Sequence, residues 1–442
     1  MNMSRKTFSR IAAAIVLFAV AGTGLRAQTY GSYTPYSIFG AGDLATPGTA
    51  YNKSMGGVGV ATRSNRFINP INPASITARD SLAFMADYSL LQDNKIFRQG
   101  DMTSASNTMN VGNLVMSFPI WRSSAMMLGI MPYSDTGYGY GYLITDPDII
   151  GRTGNVSYTA NGSGSIYQMF AAAGVTFWNR LSIGAEFIYH FGKIEKTFTE
   201  SFSNSSYNGA SNGHNIQVTA PAGKFGIQYE QPLGTKSSLV LGATYKTAAA
   251  LHGNVESYRY STGAAATDTL YYKSGVPGAV SLAGELGAGI SFRYGDKLMI
   301  SADYTRSDWR NSGIDTREGF TGNAAAGSGR SSFAASVSQA ARIGFEYVPN
   351  RNDIRYYFKK IAYRGGVYYK NDYFTLDGNR VNAYGITLGA TLPVFRWYNG
   401  ITLGMDFGQR GSTANNMIRE TYINFSIGFN LFDIWFIPVR YD

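Results

Sequence analysis

Few residues in this 442-residue chain have the types and spacing needed for chemistry. His190 stands four positions after Glu186 in an alternating run, so on a strand the two side chains share a face. A histidine beside a carboxylate is the pairing that general-base catalysis uses. No serine partner is evident, and the chain contains no Gly-x-Ser-x-Gly and no His-Glu-x-x-His motif. Cysteine is absent, which excludes a thiol nucleophile, zinc thiolates and disulfides. The other histidines, His214 and His252, have no metal-ligand spacing with His190. Met55-Gly56-Gly57-Val58-Gly59 has the glycine content of a phosphate loop, but no strand pattern precedes it and no helix pattern follows. The sequence therefore predicts a non-enzyme with no cofactor and no bound metal.

The elements that would position these residues are strands. Glycine fills 52 positions and aromatics reach 14%, including 32 tyrosines and 26 phenylalanines, while charged residues stop at 15%. Mean hydropathy is slightly below zero, which excludes a polytopic helical membrane protein. The abundance of Tyr, Phe, Ile, Leu and Val argues against disorder. Basic residues give a net charge of +10 but are scattered, so nucleic-acid binding is not expected.

From about residue 80 the chain alternates with period two. Ile423, Phe425, Ile427, Phe429 and Leu431 share one face; Asn424, Ser426, Gly428 and Asn430 share the other. Residues 384–392 and 401–408 repeat the pattern, as do 181–190 and 281–292. The polar faces are small, neutral and glycine-rich, whereas a soluble sandwich needs a charged wet face. Fourteen such segments between residues 81 and 433 predict an all-β fold, a transmembrane antiparallel barrel over 80–433. One of them is placed at 354–376. Short turns at 178–180, 294–296 and 398–400 alternate with longer Ser/Asn/Gly/Ala tracts at 203–213, 261–269 and 321–332, as in outer-membrane barrels. Aromatics near strand ends (Phe177, Trp178, Trp309, Trp397, Tyr398, Trp435, Phe436) are expected in the interfacial girdles. On this reading Glu186, Glu230, Lys246, Glu285 and Asp303 face the lumen. So do Arg342, Glu346, Arg364, Lys370 and Asp406, and the mixed signs are expected to pair with one another and with whatever fills the barrel.

Residues 1–27 read as a cleaved signal peptide, with Arg5, Lys6 and Arg10 ahead of the apolar run 11–21 and Ala27 before Gln28. That run is short of the ~20 residues that a spanning helix needs. Export and a barrel together place the chain in a Gram-negative outer membrane, surrounded by its lipid. Residues 28–79 lack sustained alternation and are too glycine-rich for a stable long helix. A disordered tail, a partner-binding arm and a lumen plug are the fates open to them. Ile38, Phe39, Leu44, Met55, Val58 and Val60 argue against disorder, and a barrel of this width needs filling, so a plug is expected.

Two motifs carry a family resemblance. Met55–Ala61 (Met-Gly-Gly-Val-Gly-Val-Ala), followed by Asn72-Pro73-Ala74 just ahead of the first strand, resembles the FadL/TodX family of outer-membrane transporters for hydrophobic compounds. The likeness in layout covers essentially the chain after residue 27. It implies that 28–79 is an N-terminal hatch, with Asn69, Pro70, Asn72, Pro73, Ala74 and Ser75 in the gated pathway. It also implies a kink in the third strand that lets a small hydrophobic ligand leave sideways into the bilayer. Pro132, Tyr133, Ser134 and Asp135 interrupt that strand, and a proline there removes a ladder donor; an ordinary bulge accounts for them equally well. The chain departs from many barrels in ending on a charged tail, 434–442, with no terminal aromatic. Two functions follow: a channel for long-chain fatty acid-like or aromatic compounds, or a non-transporting accessory subunit of an outer-membrane secretion or assembly complex. In the second, the tail or the hatch would dock a protein partner.

Overall fold

The structure is a computed structural model and describes residues 31–434 apart from 81, 122, 264–265, 277, 322–331 and 395–398. The expected signal peptide, and all of the tail except Ile434, lie outside the described residues.

Fourteen antiparallel strands form one closed wall. The first six are β1 (Ala83–Gln99), β2 (Met102–Trp121), β3 (Ser124–Leu143), β4 (Val156–Phe177), β5 (Leu181–Phe202) and β6 (Gly209–Leu233). Two interrupted strands follow: β7 (Ser237–Lys246, resuming at His252–Thr262) and β8 (Thr267–Gly275, resuming at Glu285–Tyr294). Then come β9 (Leu298–Asp308), β10 (Val337–Tyr347), β11 (Ala362–Leu376), β12 (Asn379–Pro393), β13 (Gly400–Arg410) and β14 (Arg419–Ile434). Each strand pairs with its chain neighbour, and β14 pairs back onto β1 from Ala83↔Ile434 to Arg98↔Arg419. Closure removes the exposed sheet edges that an open sheet would present. Alternation sets the two faces: Ile423, Phe425, Ile427, Phe429 and Leu431 are exposed outward, while Ser426 and Asn430 are buried inward.

Sequence pattern and structure part in three places. Residues 354–361 are not strand; the wall resumes at Ala362. Ile354, Tyr356 and Phe358 alternate with Arg355, Tyr357 and Lys359 and so mimic a strand. The Asp353 carboxylate, however, accepts from the Arg355 and Tyr356 amides at 2.9 and 2.7 Å and folds the run into a turn. Trp309 is not in a girdle: it is 1% exposed and packs on Tyr373, ring centroids 4.6 Å apart, because the chain after β9 turns inward. Phe177 and Trp178 are exposed at a strand end; Trp397, Tyr398, Trp435 and Phe436 lie outside the described residues. The third place is the pair of breaks in β7 and β8, which bend inward. There Ala249–Ala250 pairs with Ser281–Leu282, and the Ser281 amide donates to Ser312.

Candidate functional site

The first element of the site is a notch in the wall. β2 and β3 pair from Trp121↔Ser124 to Leu114↔Ile130, where their pairing stops. Above that point β2 continues with β1 and β3 continues with β4. The register between β3 and β4 shifts between Pro132 and Ser134, leaving Tyr133 as a bulge. Proline has no amide to donate, so the ladder gives way there at least cost. Tyr133 is buried, its ring 4.7 Å from that of His190.

The edge of β3 at the notch is taken up by residues that precede β1. Asp43 and Leu44 pair antiparallel with Asp135 and Ser134. The Ala45 amide donates to the Tyr133 carbonyl at 2.9 Å, and the Thr34 amide to Gly137 at 2.8 Å. Tyr33 Oη donates to the Gly139 carbonyl at 2.7 Å, and Ser134 Oγ to Ala41 at 2.7 Å.

The second element is a charge cluster behind the notch, centred on Arg410 of β13. Its guanidinium lies 2.9 Å from Asp43, 2.6 Å from Asp372 of β11 and 3.6 Å from Glu420 of β14, and stacks 4.9 Å over the Tyr36 ring. Lys95 of β1 lies 3.7 Å from Asp43 and 3.9 Å from Asp93, and donates to Ser32 Oγ at 3.0 Å. Burial alone would raise the Asp43 carboxyl, but Arg410, Lys95 and Lys370 together hold it below the usual carboxylate range. A cavity of about 160 Å³ lies against this cluster, lined among others by Asp93, Lys95, Pro132, Asp135, Asp406 and Arg410.

Further along, residues 46–79 are bolted to the lumen face strand by strand. Gly56 and Gly57 take φ of +71° and +79°, a conformation that side chains disfavour. That turn lets the Gly56 amide donate to Thr387 Oγ1 of β12 at 2.7 Å. The Gly59 and Val60 amides converge on one carboxylate oxygen of Asp303 at 2.6 and 2.8 Å. The Tyr51 and Phe67 rings stack 4.7 Å apart, and the Arg364 guanidinium sits 4.7 and 4.5 Å from them while binding Glu346 at 2.8 Å. Lumen glycines make the close approach available. A Cβ on Gly242 would strike the Val60 carbonyl, and one on Gly366 would strike the Met55 backbone.

The six residues singled out by the resemblance fasten this segment to itself and to the wall. Asn69 Nδ2 donates to the Gly59 and Thr62 carbonyls at 2.6 and 3.1 Å, and Ser75 Oγ donates to the Asn69 carbonyl at 2.8 Å. The Pro70 carbonyl accepts from Lys224 of β6 at 2.8 Å. Asn72 caps a short 3-10 helix, Pro73–Ala78, by accepting from the Ala74 amide at 3.0 Å, and donates to the Val60 carbonyl at 2.7 Å. Pro73 and Ala74 press on Gly184 of β5, and Asn72 and Pro73 on Gly226 of β6. This group and Pro132–Asp135 meet only across a second cavity of about 160 Å³, which Pro70, Pro132 and Tyr133 line together with Glu186, Lys246 and Glu285.

The His190–Glu186 pairing does not form. His190 Nδ1 lies 3.1 Å from the Ala220 carbonyl, and Glu186 faces Lys224 at 3.6 Å. Mixed-sign pairing extends to Glu230, which binds Arg63 at 3.3 Å, whereas Arg342 donates to the neutral Thr305 Oγ1 at 3.0 Å. Sequence reasoning missed Arg410, Glu420, Lys95 and Lys196. Arg410 was within its reach, since Thr402, Gly404, Asp406, Gly408 and Arg410 continue one inward face. Lys196, 1% exposed, donates to the Ile38 and Gly40 carbonyls at 2.9 and 3.4 Å; nothing in the sequence pairs those residues.

Solved structures of similar fold include channels and transporters for aromatic hydrocarbons. The CymD monoaromatic hydrocarbon channel aligns with a TM-score of 0.58 at 13% identity, covering 87% of this chain and 97% of that one. The Pseudomonas putida toluene transporter TodX aligns at 0.58 and 15% identity, over 90% and 99% of the two chains. The Ralstonia pickettii toluene transporter TbuX gives 0.57, 14%, 87% and 98%. At such identities the likeness is one of fold, that of an outer-membrane β-barrel. No curated protein matches the sequence. The model of a different family, BamG, matches residues 3–442. The chain thus belongs to the BamG family, on a barrel shared in outline with the FadL/TodX-type channels.

Proposed function

We propose that this protein is a non-transporting barrel subunit of an outer-membrane secretion or assembly complex. Residues 28–79 would be a fixed plug, 80–433 the membrane-embedded wall, and the plug or the tail 434–442 the docking element. The observation that carries this reading is the charge cluster on Arg410. It joins the segment to three strands at the point where a lateral passage would run. A hydrophobic ligand crossing there would have to separate buried ion pairs, and breaking one such pair costs about 3–5 kcal/mol. On the same side of the lumen, Leu251, Val280, Trp309, Ile314 and Phe320 belong to a buried apolar cluster that includes Tyr373, the neighbour of Asp372, and the Gly40 amide donates to the Phe320 carbonyl at 2.8 Å. That supports a lumen closed at the end opposite the start of β1.

A second reading, a channel for small hydrophobic molecules, is favoured by one observation: the notch between β2 and β3 at Pro132–Asp135. Residues 33–45 would then have to swing out of it, with Asn69–Ser75 as the gating hatch.

Gentle solubilisation and affinity capture of the full chain separates the readings. A stoichiometric outer-membrane partner, lost on removal of 435–442 or on loosening of the plug, is the outcome expected. A lone monomer with a lipid-like molecule in the lumen would overturn the subunit reading and support the channel.

A further inference from the structure

The end of the barrel where β1 begins and β14 stops is the end of the short connections, and in outer-membrane barrels that end is periplasmic. There β4–β5, β6–β7 and β8–β9 are joined by residues 178–180, 234–236 and 295–297. One connection breaks the rule: between β10 and β11 the chain runs through residues 348–361. It is ordered by its own contacts. Besides the two amides held by Asp353, the Asn350 amide donates to the Lys359 carbonyl at 2.8 Å. Lys359 lies 3.5 Å from Asp353 and 4.7 Å over the Tyr356 ring. Tyr356 and Arg355 amide donation, with Lys359 nearby, holds the Asp353 carboxyl below its usual range.

This ordered turn presents what a water-facing turn avoids. Ile354 is 90% exposed and Phe358 73%, with Tyr356 and Tyr357 about half exposed. Its position is fixed on the outer rim. Tyr363, which faces outward on β11, donates to the Phe358 carbonyl at 3.1 Å, and Tyr357 Oη donates to Pro393 at the end of β12 at 3.0 Å. The exposed side chains therefore continue the outward apolar band of Phe345, Tyr347 and Tyr363. Interleaved with them are Arg351, Arg355, Lys359 and Lys360, against the one acid Asp353.

We infer that residues 351–360 form a binding site for anionic phospholipid in the periplasmic leaflet. Ile354 and Phe358 enter the acyl boundary, and Arg355 and Lys360 hold headgroup phosphate. Aliphatic and aromatic residues flanked by bases are the signature of a segment lying in the plane of a membrane interface. Continuity with the lipid-facing wall favours lipid over a soluble protein, which would meet the rim from below. The inference holds whichever function the barrel has.

The absence of cysteine allows a single Ile354→Cys spin label on the full chain in nanodiscs. Oxygen collisions exceeding those of a polar relaxant, more so when phosphatidylglycerol is added to phosphatidylcholine, are expected. Phe358→Cys repeats the reading at a second site. Native mass spectrometry then counts retained phosphatidylglycerol: Arg355→Ser with Lys360→Ser should weaken retention about fivefold per charge removed. A label that stays in water in both discs, or is shielded only when a protein partner is present, would overturn the inference. So would equal lipid retention by the serine variant.

Discussion

At the residue scale the molecule turns on Arg410. Three carboxylates on three different parts of the chain lean on one guanidinium that is almost fully buried. Arg410→Met leaves those carboxylates without the guanidinium they share, with Lys95 still 3.7 Å from Asp43. A loss of about 3–5 kcal/mol is expected, read as a lower denaturant midpoint and as new protease cleavage within residues 33–45. The same contact sets a pH dependence. Asp43 has a folded-state pKa below its ordinary value, near 3.9 in model peptides. Its contribution is therefore complete above about pH 4 and is lost as pH falls through the lower, folded value. The protection factor of the Leu44 and Ala45 amides, with the intrinsic pH dependence of exchange divided out, should fall as pH drops through that lower value; a protection factor indifferent to acid would show that the Asp43 pairing contributes nothing there.

At the element scale the notch and the segment that fills it can be fixed or forced apart. Leu44 and Ser134 are paired residues of adjacent antiparallel strands, close enough for a disulfide. With Leu44→Cys and Ser134→Cys, oxidation should leave cell growth and complex formation unchanged if the segment is a static part. If it swings during uptake, oxidation should abolish uptake and reduction restore it. Gly242→Val should displace Val60 and raise protease sensitivity across 56–62 while the heat-modified gel mobility of a folded barrel persists. The strands themselves were legible because period-two alternation is imposed by the lipid on one side and a crowded lumen on the other. Where that cause acts without a strand, the reading fails: Ile354–Lys359 alternates because it lies along the membrane rim. The inward bends at 247–251 and 278–284 left no trace, since the residues that anchor them, such as Leu251 and Val280, are apolar in either setting.

At the scale of the whole molecule, the barrel is a container whose contents are part of its wall. The segment ahead of β1 touches strands all around the lumen, from Arg79 on Ser117 of β2 to Arg66 on Asn430 of β14. Reconstituted in a planar bilayer, the chain should carry no steady ion current. A chain lacking residues 31–79, or Arg410→Met if the deletion does not fold, should carry current through a lumen lined by both signs of charge. Silence from a folded deletion would mean that the apolar cluster under Phe320 seals the lumen unaided.

The glycine-cushioned seating of residues 31–79 also dictates an order of events in time. The residues that leave the export channel first make their contacts with those that leave last: Thr34 bonds Glu420, and Asp43 meets Arg410, across 386 and 367 positions of chain. Contacts so distant form late and slowly. Once β1 and β14 have zipped, the stacked Tyr51 and Phe67 have no way past the wall, so the segment must be inside before the seam closes. The last turn of folding is then the β1–β14 zipper shutting over a passenger already aboard.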